Sequence, residues 1–134
     1  MSALKTATSI AKRAHRGQTR KWGGHAYFTH PQAVSDSVTG KDAKVVALLH
    51  DVVEDTTVTL DDLREDFNEN IVEAVDAISK REGERYWDYI ARVKENKLAT
   101  KVKIEDLKHN LSTLPKGHGL AIRWEEAVRV LKKR

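Results

Sequence analysis

The stretch Leu49-His50-Asp51-Val52-Val53-Glu54-Asp55-Thr56 gathers one imidazole and three carboxylates into a few consecutive positions. Its apolar residues, with Val45 and Leu48 ahead of them, recur with the period of a helix. On a helix, residues three and four apart share a face, so His50 neighbours Glu54, and Asp51 neighbours Glu54 and Asp55. His50 and Asp51 differ by about 100° around the axis, yet near a common edge both reach one cation. Ionisable groups crowded against a buried stripe are costly unless something pairs with them. A metal ion would do so.

Two further positions extend the set. His30 precedes Pro31 at the mouth of a short helix, and Asp106 lies in Val102-Lys103-Ile104-Glu105-Asp106-Leu107-Lys108-His109-Asn110. His30, His50, Asp51 and Asp106 together offer two imidazoles and two carboxylates. That mixture suits Mn²⁺, Fe²⁺, Co²⁺ or Zn²⁺ better than Ca²⁺ or Mg²⁺, which prefer all-oxygen shells. The competing readings are ordinary ones: a hydrogen-bonded core histidine, a surface aspartate, a helix-capping residue before proline. Glu54 and Asp55 weigh against them, because carboxylates at a helix C-terminus are mildly unfavourable and need a reason.

The remaining histidines, His15, His25, His109 and His118, receive no role, since a helical histidine more often packs or takes a hydrogen bond than ligates. Trp22, in a glycine-flanked loop, suits base stacking and simple half-burial equally. Tyr86, Trp87 and Tyr89 read as core or interface, and Trp124 as core of the last helix.

The elements that must position these groups are helical. The chain has 134 residues, 40% hydrophobic and 33% charged, enough for one domain, 1–134, with a hydrophobic core. Strand-like alternation is nearly absent. The pattern predicts helices over 3–16, 31–38, 41–54, 60–67, 69–80, 85–95, 97–112 and 120–132, with a loop at 17–29. Thr59 to Asp62 reads as a capping box, and Asn68 as the cap of the next helix. The expected fold is an all-α bundle of about eight helices.

Composition removes several classes. Cysteine is absent, which excludes disulfides and thiolate metal sites. No run approaches the ~20 apolar residues of a membrane span, and no apolar export signal opens the chain, so a cytoplasmic location is expected. The net charge of +4 is concentrated toward both ends. No dense basic stripe with interleaved aromatics accompanies it, so nucleic acid is disfavoured and a phosphorylated small molecule fits.

Four segments, in order, resemble the HD-domain phosphohydrolases, above all the hydrolase domain of Rel/Spo-type alarmone enzymes and the small stand-alone alarmone hydrolases. They are Ala14-His15-Arg16-Gly17-Gln18-Thr19-Arg20-Lys21, Tyr27-Phe28-Thr29-His30-Pro31, Ala47 through Thr56, and Val102 through Leu111. The resemblance spans residues 14 to 114. It implies a single HD domain and metal ligation by His30, His50, Asp51 and Asp106, with Mn²⁺ as the usual ion. It also implies water handling by Glu54 and Asp55. Substrate contacts would come from Arg20 with Lys21 beside it, from Asn110 and from Thr113, while Lys103 shares a helical face with Asp106. Two departures, a longer loop between Arg20 and His30 and Leu107-Lys108 after Asp106, bear on base recognition more than on the metal.

The function so implied is hydrolysis of the 3′-pyrophosphate of guanosine tetra- or pentaphosphate, with the nucleotide as partner and homo-oligomerisation left open. Two rivals stand beside it. One is an HD hydrolase acting on another phosphorylated nucleotide, such as a dinucleotide 2′-phosphate. The other is a non-catalytic nucleotide- or nucleic-acid-binding module, which would have lost ligands; none of the four is missing.

Overall fold

Polar residues at the helix starts mark out the architecture. Asn68 accepts from the Ile71 amide and Asn96 from the Ala99 amide. Thr59 and Asp62 exchange side-chain and backbone hydrogen bonds in the expected capping box. In the computed structural model, which describes residues 2–133, nine helices follow one another. They are α1 (Ala3–Ala14), α2 (Thr29–Ser37), α3 (Lys41–Leu49), α4 (Val52–Asp55), α5 (Leu60–Arg64), α6 (Glu69–Ile78), α7 (Tyr86–Lys94), α8 (Lys97–Thr113) and α9 (Leu120–Lys132). Among the described residues there is no strand, only one antiparallel bridge between Thr19 and Ala26. No described helix is long and apolar enough to cross a membrane.

The expected all-α bundle is the observed one, with one helix more. The segment 41–54 is broken at His50 and Asp51 into α3 and α4. His50 Nδ1 bonds back to the Ala47 carbonyl, the acceptor that a continuing helix would give to the amide of residue 51. Asp51 adopts φ −102°, ψ −4°, off the helical values. Most other boundaries shift by one or two residues, and two of the shifts bear on the site or are larger. α2 begins at Thr29, so His30 lies inside its first turn rather than ahead of it, and α5 stops at Arg64 rather than Phe67.

α3 is the central element. Ala43, Val45, Val46, Ala47, Leu48 and Leu49 are all buried, the pattern of a helix covered on every side. α1, α2, α6 and α8 pack around it. α8, the longest helix, also contacts α2, α6, α7 and α9, and so runs past the end of α3 where His50 stands. Tyr89, Ile90 and Val93 of α7 complete the core beside Ile71, Val75 and Ile78 of α6. As expected for core or interface residues, Tyr89 is buried, whereas Trp87 is 45% exposed.

The segment expected as a loop is an ordered hairpin. Tyr27 donates to the Gln18 carbonyl and Arg20 to the His25 carbonyl, each across 2.8 Å. Gly23 and Gly24 form its turn with φ of 86° and 68°, a region that strains any residue bearing a Cβ. This hairpin carries Arg20 on one arm and Tyr27 just past the other.

Candidate metal centre

Three elements distant in sequence meet at one point. α2 brings His30, the α3–α4 junction brings His50 and Asp51, and the middle of α8 brings Asp106. The two histidines are 2% exposed and Asp106 is 3% exposed. His30 Nε2 lies 2.7 Å and His50 Nε2 3.1 Å from Asp106 Oδ1. Asp51 Oδ2 is 3.0 Å from His50 Nε2 and 3.9 Å from His30 Nε2. One ligand atom from each of His30, His50 and Asp106 falls within 4.8 Å of the others, and Asp51 closes the more open side.

The hydrogen-bond network sets the tautomers. An arginine only donates, so Arg20, 3.2 Å from His109 Nδ1, makes that nitrogen an acceptor. His30 Nδ1 lies 2.7 Å from the same atom and therefore carries the proton it donates. His50 donates through Nδ1 to Ala47. With their Nδ1 protons so placed, both histidines turn Nε2 toward Asp106 Oδ1, at 2.7 and 3.1 Å. That nitrogen is free to ligate a cation when it carries no proton.

The charges describe the same field. Burial alone would depress the His50 pKa, yet Asp51 and Asp106 hold it well above its ordinary value. Burial would raise Asp51, but His50 holds it down at about 2. Asp106 is likewise held well below the usual carboxylate range by Lys103 and His50 against the cost of burial. Two sp² nitrogens and two ionised carboxylates in a nearly dry cleft fit a divalent transition ion. Carboxylate and imidazole ligands are themselves held by partners, as metal ligands generally are. Lys103 Nζ donates to Asp106 Oδ2 at 2.8 Å, and the Tyr27 hydroxyl donates to Asp51 Oδ2 at 2.6 Å.

Glu54 and Asp55 sit on α4 at the exposed rim. Partial burial, with Asp51 and Asp55 nearby, raises the Glu54 pKa even though its Oε2 accepts the Lys80 amide. Partial burial and Asp51 raise Asp55 as well. Carboxyls raised in this way are suited to exchanging protons.

The residues expected on the substrate side fall into two groups. Arg20 reaches α8, where it donates to Asn110 Oδ1 at 2.8 Å and Thr113 Oγ1 at 3.1 Å. Lys103 is buried against Asp106, with its ammonium 5.3 Å from the centre of the Tyr89 ring. Lys21 joins neither; it is exposed, lying over Trp22, which packs edge-on against His118. The site also holds two residues that the spacing argument left without a role. His109, three positions after Asp106, shares its helical face and could have been found from that spacing. Tyr27 could not, because its partner Asp51 belongs to another element. A groove of about 540 Å³ lies elsewhere, between α1 and the segment 56–66, and is lined by Ile10, Arg13, Thr56, Asp62 and Leu63 among others. It lacks the imidazole–carboxylate convergence of the His30–His50–Asp106 cluster.

Comparison with known proteins gives the chain a family. The family described as HD domain matches residues 7–115. The guanosine-3′,5′-bis(diphosphate) 3′-pyrophosphohydrolase of Haemophilus influenzae is 34% identical over 120 residues, covering 78% of this chain and 18% of that protein. The bifunctional (p)ppGpp synthase/hydrolase SpoT of Escherichia coli is 32% identical over 126 residues, covering 83% of this chain and 18% of that protein. The chain thus spans under a fifth of the length of these curated relatives. A solved structure described as a metazoan ortholog of SpoT that hydrolyzes ppGpp shares the fold, with a TM-score of 0.79 and 23% identity over 98% of this chain and 86% of that one.

Proposed function

The chain belongs to the HD-domain family, and from that premise we propose that it is a divalent-metal-dependent hydrolase that removes the 3′-diphosphate of guanosine 3′,5′-bis(diphosphate). The observation that carries this reading is the convergence of His30 Nε2, His50 Nε2, Asp51 and Asp106 at one buried point. The named activities of the relatives supply the substrate.

In this reading His30, His50, Asp51 and Asp106 hold the ion, with Mn²⁺ the expected species. When bound, such an ion polarises a phosphoryl oxygen and brings the pKa of a water from ~16 toward ~7. The rest of the work falls to the chain. Arg20, Asn110 and Thr113 present donors on one rim, the fork of the arginine being suited to phosphate oxygens. Lys103 keeps Asp106 ionised and its Oδ2 occupied, leaving Oδ1 for the cluster. Glu54 or Asp55 takes the proton from the attacking water, as their raised pKa values suit. Water adds to the phosphorus attached to the 3′ oxygen, the P–O3′ bond breaks, and GDP and pyrophosphate leave.

The test is incubation of the protein with guanosine 3′,5′-bis(diphosphate) and Mn²⁺, with products separated by anion exchange and a dinucleotide 2′-phosphate run in parallel. Equimolar pyrophosphate and GDP support the proposal. An ion-loaded protein that releases neither refutes the substrate assignment. Orthophosphate from the dinucleotide alone moves the assignment to that substrate class.

A further inference from the structure

Tyr27 stands between two buried histidines at the edge of the cluster. Its hydroxyl donates to Asp51 Oδ2 at 2.6 Å, the same oxygen that lies 3.0 Å from His50 Nε2. Its ring meets that of His30 edge-on at 6.1 Å and leans on that of His15 at 4.8 Å. His15 is 2% exposed, is anchored through Nδ1 to Gln18 Oε1 at 3.0 Å, and leaves its Nε2 buried without a partner among the described residues. The hairpin fixes this arrangement from the backbone, since the Tyr27 amide donates to the Gln18 carbonyl. A tyrosine held on both faces of its ring and by its backbone has little freedom to swing the hydroxyl away.

Asp51 needs such a constraint. It follows the break between α3 and α4 and is the least buried of the four proposed ligands, with 17% of its side chain exposed. Asp106 has Lys103 and Asn110 to orient it, and each histidine has its own Nδ1 partner. For Asp51, Tyr27 is the side chain outside the proposed ligand set that donates to it. The Tyr27 hydroxyl also faces Asp55, whose carboxyl it draws down against the upward push of burial.

We propose that Tyr27 is a positioning residue that fixes the Asp51 carboxylate toward the cation site, with His15 as the brace behind its ring. This rests on the metal centre proposed above. Loss of a hydrogen-bonding partner behind a ligating group typically weakens metal binding by about 10- to 100-fold.

The experiment is calorimetric titration of the full chain with Mn²⁺ alone, for the parent, Tyr27→Phe and His15→Leu, together with the visible absorption of each loaded with Co²⁺. Tyr27→Phe keeps the ring and is expected to bind Mn²⁺ about 10-fold or more weakly. The melting temperature of its metal-free form should match the parent, and its Co²⁺ bands should shift. In the loaded enzyme kcat falls while KM holds. His15→Leu leaves the hydroxyl in place and loses a smaller factor. Parent-like affinity and Co²⁺ spectra in both variants overturn the inference while leaving the metal centre intact. A parent chain that takes up neither ion overturns the metal centre and this inference with it.

Discussion

His30 Nδ1 and His109 Nδ1 face each other across 2.7 Å, joining α2 to α8 through a bond in which His30 donates. The rings stack at 4.9 Å, and Arg20 supplies a second proton to the same His109 nitrogen. His109 is therefore held neutral; burial, His30 and Arg20 together depress its pKa. In the proposed centre its part would be to hold the His30 proton on Nδ1 and so direct Nε2 to the cation.

If so, His109→Phe, which keeps a ring but removes the acceptor, weakens Mn²⁺ binding by about 10-fold. His109→Asn, whose amide oxygen can accept from His30, retains most of the affinity. Calorimetric titration of the two variants decides this, and equal affinities would show that the tautomer is fixed by other means.

Arg20 is expected to act on substrate without touching the ion. In the free protein its guanidinium rests on Asn110 and Thr113, so three substrate-side groups are gathered at one rim before any nucleotide arrives. A charge-assisted bond to phosphate contributes about 1.5–3 kcal/mol, or roughly 10- to 100-fold. Arg20→Ala should lower kcat/KM by that factor, chiefly through KM, with Mn²⁺ affinity within about two-fold of the parent. Arg20→Lys should fall between, since an ammonium cannot span two acceptors as the fork does. Steady-state kinetics at saturating Mn²⁺ checks both.

His50 and Asp51 stand out in the chain as adjacent members of a carboxylate-rich run, and the spacing of Asp106 from Lys103 and Asn110 puts those three on one helical face. The proposed ligand set as a whole is what the family resemblance implies. The helix bundle followed from the same period, and the caps at Thr59 and Asn68 from their side-chain chemistry. What escaped depends on contacts between elements. Tyr27 is 24 residues from Asp51, and His109 is 79 from His30. No local pattern reports such pairings. The break at His50 escaped for a related reason: it comes from a side chain competing for the carbonyl of its own helix, which apolar periodicity does not register. Lys21 is adjacent to Arg20, yet the chain enters the turn there, and only Arg20 reaches α8 while Lys21 lies over Trp22.

Arg92 was equally hidden, and it supports a prediction on stability. From α7 its guanidinium donates to the carbonyls of Asp76, Ala77 and Ser79 at the end of α6, where helical acceptors run short of amide partners; Asp76 also accepts the Ser79 amide. The same side chain grips Glu84 with two bonds, Nε to Oε2 at 3.0 Å and NH2 to Oε1 at 2.9 Å. Those bonds hold the Glu84 pKa down at about 2, from an ordinary 4.5. A carboxyl depressed on folding stabilises the native state above its unfolded pKa and ceases to do so as the pH falls through its folded value. The pair should therefore contribute fully above about pH 4.5 and fade between there and about pH 2. With 15% of the Glu84 side chain exposed, solvent screening reduces the contribution to about 1–2 kcal/mol. Urea unfolding of the parent and Glu84→Gln at pH 7 should differ by that amount, and the two curves should approach each other as the pH drops below 4.5. A difference that stays constant down to pH 2.5 would mean that Arg92 gains its hold on α6 from the three carbonyls alone.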